Sequence, residues 1–331
     1  MRVLGVKNWN SVIHWRWTGV EEITPEVIAI DFPNYMTRRT SVMRPSRGQR
    51  IPMAHVRIVY STIRQSLRRH ILPVFIFDGP PEHLKRCPNP DLISRAESLY
   101  RQYSKSGDTQ DSEVVESLRD SRALSLYFSA NHASDICKAC GVPMVKAPSE
   151  AELAGAILCR DGEVGSVVSN DADALLFGSP HVTRSLHLSE GRIECAQLSE
   201  LEESLGLNLD QLRDLAIICG CDFHRKGIKG LGPRRGAVQL HRHGDLKTLL
   251  RSLGLTTDEM KEYLDARETF DEAEYVRLRT EPFSLKPPIP GLFRRLLSPV
   301  VGVSGAEKML AELVRLWKDF GRVQTTLEHW I

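Results

Sequence analysis

A chain of 331 residues with 41% apolar and 26% charged side chains can bury a substantial core, which excludes wholesale disorder. Its longest apolar run, residues 71–77, falls far short of the roughly 18 residues that span a bilayer. The net charge of +2 hides segregation: residues 32–77 hold nine arginines and no acid, and residues 223–243 hold six Lys or Arg and no acid. Two such runs on a near-neutral chain point to a phosphate-rich partner.

In chain order, residues 27–30 are a short apolar run that ends in Asp31. The arginine-rich stretch follows, with Arg38, Arg39, Arg47, Arg64 and Arg69 among its nine. Residues 73–77 form a second apolar run, ending in Asp78. Polar stretches 92–103 and 112–127 predict two helices broken at Gly107; a surface hairpin and a mobile cover both fit them. Residues 142–147 lead into Ser149 and Glu150, and residues 164–169 into Asn170 and Asp171. Apolar runs with helices between them predict parallel strands buried on both faces of a doubly wound α/β sheet. Such sheets keep their sites beyond the carboxyl ends of the strands. Further on, residues 209–220 predict a buried helix, residues 226–235 a glycine-rich basic turn, and 236–241 another helix. Amphipathic acidic helices fill 256–281, prolines interrupt at 287–290, and a last helix covers 306–320.

Seven carboxylates therefore stand at or near strand and helix ends: Asp31, Asp78, Glu150, Glu152, Asp171, Asp173 and Asp222. Each has an ordinary structural alternative. Ser149 to Glu152 has the spacing of a capping box, Asn170 to Asp173 that of a helix start, and Asp78 that of a turn residue. Their joint placement is what suggests a site. Carboxylate oxygens suit Mg²⁺ or Mn²⁺, and no His or Cys cluster accompanies them, which disfavours zinc. Seven anions in one crevice repel strongly, and two divalent ions remove the conflict. Cys137 and Cys140 lack the second half of a zinc site.

Three blocks carry a family resemblance: Ala147-Pro-Ser-Glu-Ala-Glu-Leu153, Val168-Ser-Asn-Asp-Ala-Asp-Ala-Leu-Leu-Phe-Gly178 and Ile218-Cys-Gly-Cys-Asp-Phe223. Together with residues 27–31, 74–81 and the Gly227-Ile-Lys-Gly-Leu-Gly-Pro233 turn, they resemble the signature blocks of flap endonucleases in the XPG-type 5′-nuclease family. The resemblance implies a PIN-like nuclease fold with a helical arch and a helix–two-turn–helix. It implies Mg²⁺-dependent hydrolysis of branched DNA at single-strand/double-strand junctions, in replication and repair. It assigns all seven carboxylates to two metal ions, with Asp173 essential for cutting and Mn²⁺ as the expected substitute. Lys85 takes the place of the family's phosphate-contacting lysine, and Arg95 that of an arginine at the arch base. A stacking tyrosine of the family is replaced by Thr37, with Tyr35 the nearest aromatic ring. The turn, through Gly227, Lys229, Gly230, Gly232, Arg234 and Arg235, implies a duplex-phosphate cradle and a K⁺ site; Arg47 and Arg64 extend the DNA grip. Gln324, Leu327, Trp330 and Ile331 resemble a sliding-clamp-binding peptide.

The implied organisation is a nuclease region at 1–87 and 136–222, an arch or cap at 88–135 and the helix–two-turn–helix at 223–255. A helical region at 256–321 and the clamp tail at 322–331 complete it. The expected protein is a monomer in the cytoplasm of an archaeal-like cell, or in a nucleus, away from membranes. Two other readings stay open: a clamp-recruited binder of branched DNA without catalysis, and a related nuclease acting on nicks, bubbles or RNA.

Overall fold

The computed structural model describes residue 6 and residues 8–43, 51–79, 89–106, 112–278 and 281–328. Seven strands form one sheet: β1 (Arg16–Gly19), β2 (Val27–Asp31), β3 (Leu72–Phe77), β4 (Met144–Lys146), β5 (Ser166–Val168), β6 (His181–His187) and β7 (Arg192–Gln197). Their order is β1-β7-β6-β5-β2-β3-β4. β6, β5, β2, β3 and β4 are mutually parallel; β7 pairs antiparallel with β6, and β1 pairs antiparallel with β7 at the edge. The chain winds from β2 outward to β4, then returns to β5 on the other side of β2. The crevice beyond Asp31 is thus the topological switch point.

Residues alternate between the two faces, as a strand's period of two requires. Ile28, Ile30, Phe75 and Val168 enter one core; Ala29, Ile76 and Val167 enter the other. The first core is covered by α1 (Phe32–Val42), α2 (Ala54–Arg68), α3 (Pro90–Ser106), α4 (Ser112–Asp120) and α5 (Arg122–Cys140). The second is covered by α6 (Ala151–Arg160), α7 (Asp173–Leu176), α8 (Leu198–Leu205), α9 (Leu209–Cys219), α10 (Pro233–His243), α11 (Leu246–Ser252) and α12 (Thr257–Tyr275). Finally, α13 (Pro290–Val301) and α14 (Val303–Glu328) return to the first core. No helix among the described residues is long and apolar enough to cross a membrane.

The helix expected at 112–127 is two helices. Ser121 is extended, and its Oγ accepts from the Leu124 N–H at 3.2 Å, so a new helix starts there. That helix, α5, passes residue 135 and ends at Gly141, whose φ of +75° closes it. Packed against α2, α3 and α13, it joins the arch segment to the core. The last helix, expected to stop at 320, continues to Glu328. Gly321 alone, at about 1 kcal/mol, does not end a helix. The strands β1, β6 and β7 on one side of the sheet were not anticipated, although Ser189 to Gly191 separates two alternating segments.

The acidic α12 is held by charge. Arg267 donates to Asp214 at 2.8 Å and to Asp210 at 2.9 Å, both on α9, and Asp214 also accepts from the Leu246 N–H. Within α12 Arg267 also pairs with Asp271, so this one cation, held mainly by the α9 carboxylates, docks the acidic helix on α9.

Candidate metal centre and nucleic-acid interface

Parallel strands deliver their carboxyl ends to the same side, so Asp31 of β2 and Asp78 after β3 meet residues that follow β4 and β5. Asp31 is buried, and its carboxylate accepts from the Asn34 N–H at 3.1 Å, capping α1. For this residue the ordinary capping role holds. The others depart from it. The Glu150 side chain makes no cap bond on α6; instead Asp78 crosses from the end of β3 and accepts from the Ala151 N–H at 2.9 Å. Glu152, freed from a capping box, accepts from the Ala174 N–H of α7 at 3.1 Å. Asp173 accepts from the Val6 N–H at 3.3 Å, a contact across 167 residues. Gly79 lets β3 and the β4–α6 turn touch, for its N–H reaches Ser149 O at 2.6 Å and a Cβ there would lie 2.2 Å from Ala147 O.

The result is a cluster. Oxygens of Glu152, Asp171 and Asp173 lie within 4.8 Å of one another. Ser169 Oγ accepts from the Asp171 N–H at 3.2 Å and bonds the Asp31 side chain. Burial, then the charge of Asp78, then that of Asp171, push the Asp31 carboxyl up to about 8. Asp222 is half-buried and directly follows Cys221, whose thiol is raised by burial first and then also by the charges of Asp173 and Asp222. Glu150 stands one residue from the amide that holds Asp78.

The donor set is all carboxylate, three oxygens converge, and the packing of anions raises Asp31. These features fit divalent cations, whose charge would offset that repulsion. Cys219 and Cys221 are small packing groups beside this site, both pushed up to about 12 by burial. Cys137 and Cys140 are buried in α5, and burial raises both thiols.

The remaining site residues divide. Lys85, Arg47, Trp330 and Ile331 lie outside the described residues. Gln324 and Leu327 fall in the last turns of α14. Arg95 is exposed on α3 and reaches Ser117 Oγ at 3.4 Å. Arg64 is turned inward: with Arg68 it pairs with Glu312 of α14, at 3.7 Å for Arg64. Tyr35 offers no face to a base, being buried with its hydroxyl on Thr62 Oγ1 at 2.9 Å. Two neighbours were missed. The Asn34 side-chain oxygen accepts from the Asn170 N–H at 3.1 Å, and Tyr127 of α5 feels the charge of Asp78. Neither contact has a local sequence signal.

Beyond α9 the basic turn is built on glycine. Gly227 has φ +63°, and a Cβ there would sit 2.7 Å from backbone atoms of Ile218, Cys219 and Gly220. Its N–H donates to His224 Nδ1 at 3.2 Å, and its carbonyl accepts from Tyr263 of α12 at 3.2 Å. Gly230, at φ +85°, faces open space. Lys229, Arg234 and Arg235 are exposed, and Gly232 precedes Pro233 at the start of α10. We expect Gly227→Ala to cost about 2–4 kcal/mol through strain plus clash, and Gly230→Ala about 1 kcal/mol through strain alone. Chemical denaturation of both variants checks the difference; equal losses would refute the close approach at Gly227.

A family model described as XPG I-region matches residues 141–222, which carry five of the seven carboxylates. Flap endonuclease 1 of Methanocaldococcus jannaschii is 31% identical over 285 residues, covering 82% of this chain and 81% of that protein. The chain belongs to the flap endonuclease family. A relative of the same name from Cryptosporidium muris is 27% identical over 299 residues, 82% of this chain. The chain spans 62% of the length of that relative. Among solved structures, flap endonuclease-1 from Methanococcus jannaschii superposes with a TM-score of 0.69 and 26% identity, covering 95% of this chain and 99% of that one. The seven-stranded sheet with helices on both faces is thus the PIN-like nuclease fold of a flap endonuclease.

Proposed function

We propose that the chain is a metal-dependent, structure-specific 5′ flap endonuclease and 5′–3′ exonuclease acting on DNA junctions in replication and repair. The observation that carries this reading is the convergence of Glu152, Asp171 and Asp173 oxygens within 4.8 Å, at the switch point of a flap endonuclease sheet. Bound divalent ions supply Lewis acidity and a water of lowered pKa. Glu152, Asp171 and Asp173 would hold one such ion, and Asp31, Asp78, Glu150 and Asp222 complete the set for two. Mg²⁺ is the proposed ion, with Mn²⁺ as substitute. Asn34 and Ser169 orient Asp31, and the Val6 N–H orients Asp173. Lys85, with Arg95 at the arch base, balances charge that builds on the scissile phosphate. The duplex lies along the glycine-rich turn, where Lys229, Arg234 and Arg235 meet phosphates without reading sequence. K⁺ on that turn, a sliding clamp on Gln324 to Ile331, a monomeric state and an intracellular site of action belong to the same proposal.

A labelled 5′ flap substrate, with Mg²⁺ or with chelator, tests it; product that forms equally in chelator would overturn it. In a second measurement, Mg²⁺ at ten to a hundred times its Kd should stabilise the fold by about 1–3 kcal/mol, raising the melting temperature by roughly 2–6 °C.

A further inference from the structure

Only part of the arginine-rich run faces outward. Arg38 donates to Arg184 O and, at 2.9 Å, to Ser185 Oγ; Arg39 donates to Leu186 O at 3.0 Å; Arg69 reaches Leu188 O at 3.0 Å. These bonds tie α1 to β6, and the residue after α2 to the turn that follows β6. Between α1 and β6, however, there remains a cavity of about 200 Å³. Arg38, Arg39 and Arg184 line it, and so do Asn34, whose backbone N–H donates to Asp31, and Ser169, whose Oγ accepts from the Asp171 N–H.

The three guanidinium groups are held in place from behind. Arg39 lies over the Tyr35 ring at 5.1 Å. Arg184 lies over Trp15 at 4.5 Å and pairs with Glu194. Arg38 is wedged against the β6 backbone. Burial and the adjacent Arg39 and Arg184 depress the pKa of Arg38, and Glu194 opposes them only in part. Arg38 and Arg184 thus share Glu194, and Arg39 adds a third cation beside the same cavity. A purely structural tie between α1 and β6 gains nothing from this mutual repulsion. An anion with several acceptor oxygens would relieve it, and prepositioned guanidinium groups lose little entropy on binding it.

We propose that this cavity is a phosphate subsite, holding through Arg38, Arg39 and Arg184 a phosphate of the same DNA strand whose scissile linkage lies at the carboxylates. Ser169 joins the two places: it lines the cavity, and its Oγ holds the Asp171 amide. A strand that passes the carboxylates meets the cavity next. The inference rests on the nuclease reading and adds a second anchor that sets how far the strand advances.

The test measures flap-DNA binding by anisotropy across a salt series in Mg²⁺, in an Asp173→Ala background that keeps the substrate intact. Arg38→Gln and Arg184→Gln should each raise Kd about 5–20-fold and lower the salt-dependence slope by about one. Arg38→Lys should recover the slope but only part of the affinity, because lysine lacks the bidentate fork. Melting curves identify any variant that fails to fold, and Arg39→Gln then replaces it. Flaps ending in 5′-phosphate or 5′-hydroxyl, and flaps with one neutral methylphosphonate near the cleavage point, distinguish the sources. An internal diester is indicated if the methylphosphonate and Arg38→Gln losses do not add; a terminal monoester is indicated if Arg38→Gln erases a 5′-phosphate preference. Both outcomes support the subsite. Folded arginine variants that bind with parental Kd and slope overturn it, provided the parent cleaves flaps in Mg²⁺. A parent without metal-dependent cleavage overturns the nuclease reading and the subsite with it.

Discussion

Asp173→Ala is expected to lower Mg²⁺-dependent flap cleavage by about 10³-fold or more while leaving the protein folded. The side chain is 2% exposed, and its oxygen lies within 4.8 Å of oxygens from Glu152 and Asp171. Removing it deletes one ligand and lowers the anionic charge that attracts a cation. It also removes a like charge from a crowded site, which offsets part of the lost hydrogen bonding, of which the Val6 contact is about 1 kcal/mol. Two measurements check this: single-turnover cleavage of a labelled flap, and melting with and without Mg²⁺. The variant should lose both the cleavage and most of the Mg²⁺-induced rise in melting temperature. A variant that keeps the parental rate would remove Asp173 from the chemistry.

The second large effect lies away from the site. His55 of α2 and His132 of α5 share a hydrogen bond, Nε2 to Nδ1, of 2.9 Å. Both rings are buried, and Tyr100, Tyr103 and Phe128 surround His132. One ring must accept, so protonation of the accepting nitrogen breaks the bond, and protonation of either ring puts an uncompensated charge in a buried site. Burial, reinforced for His55 by the adjacent His132, lowers both pKa values, that of His132 to about 4; Asp135 opposes the shift at His132 more weakly. The unfolded chain takes up protons near pH 6.5, where the folded protein does not. Stability from this pair is therefore complete above pH 6.5 and falls as pH drops towards 4, by about 3 kcal/mol for His132. Asp31 acts in the opposite sense: with its carboxyl raised, its contribution is lost as pH climbs through about 8. The difference between parent and His132→Gln, which keeps an acceptor for His55, isolates the pair. Denaturation at pH 7 and pH 5 should show a smaller acid loss in His132→Gln. Equal losses would exclude the histidine pair as its source.

Much of the fold was legible because buried parallel strands are written as short apolar runs, and four such runs lead into acidic residues. The α9 boundary was legible too: Asn208 and Gln211 form a capping box, a signal contained in four residues. The β6–β7 hairpin was harder to read. Its strands alternate only in part, and their cover comes from β5 beside β6 and β1 beside β7.

What the amino-acid order determined by itself was local: strand cores, the glycine-rich turn, and carboxylates at chain reversals. Which carboxylates would act as caps was a tertiary decision. Asp31 caps its own helix three residues away, whereas Glu152 leaves its expected box because Ala174, 22 residues on, presents a free amide. The arginines divide in the same way. Arg64 is neutralised by Glu312, 248 positions later, while Arg38, Arg39 and Arg184 collect around one cavity. Charge and hydrogen-bonding capacity are properties of a residue, but a partner is a property of position in space. Only the winding of the sheet sets that position.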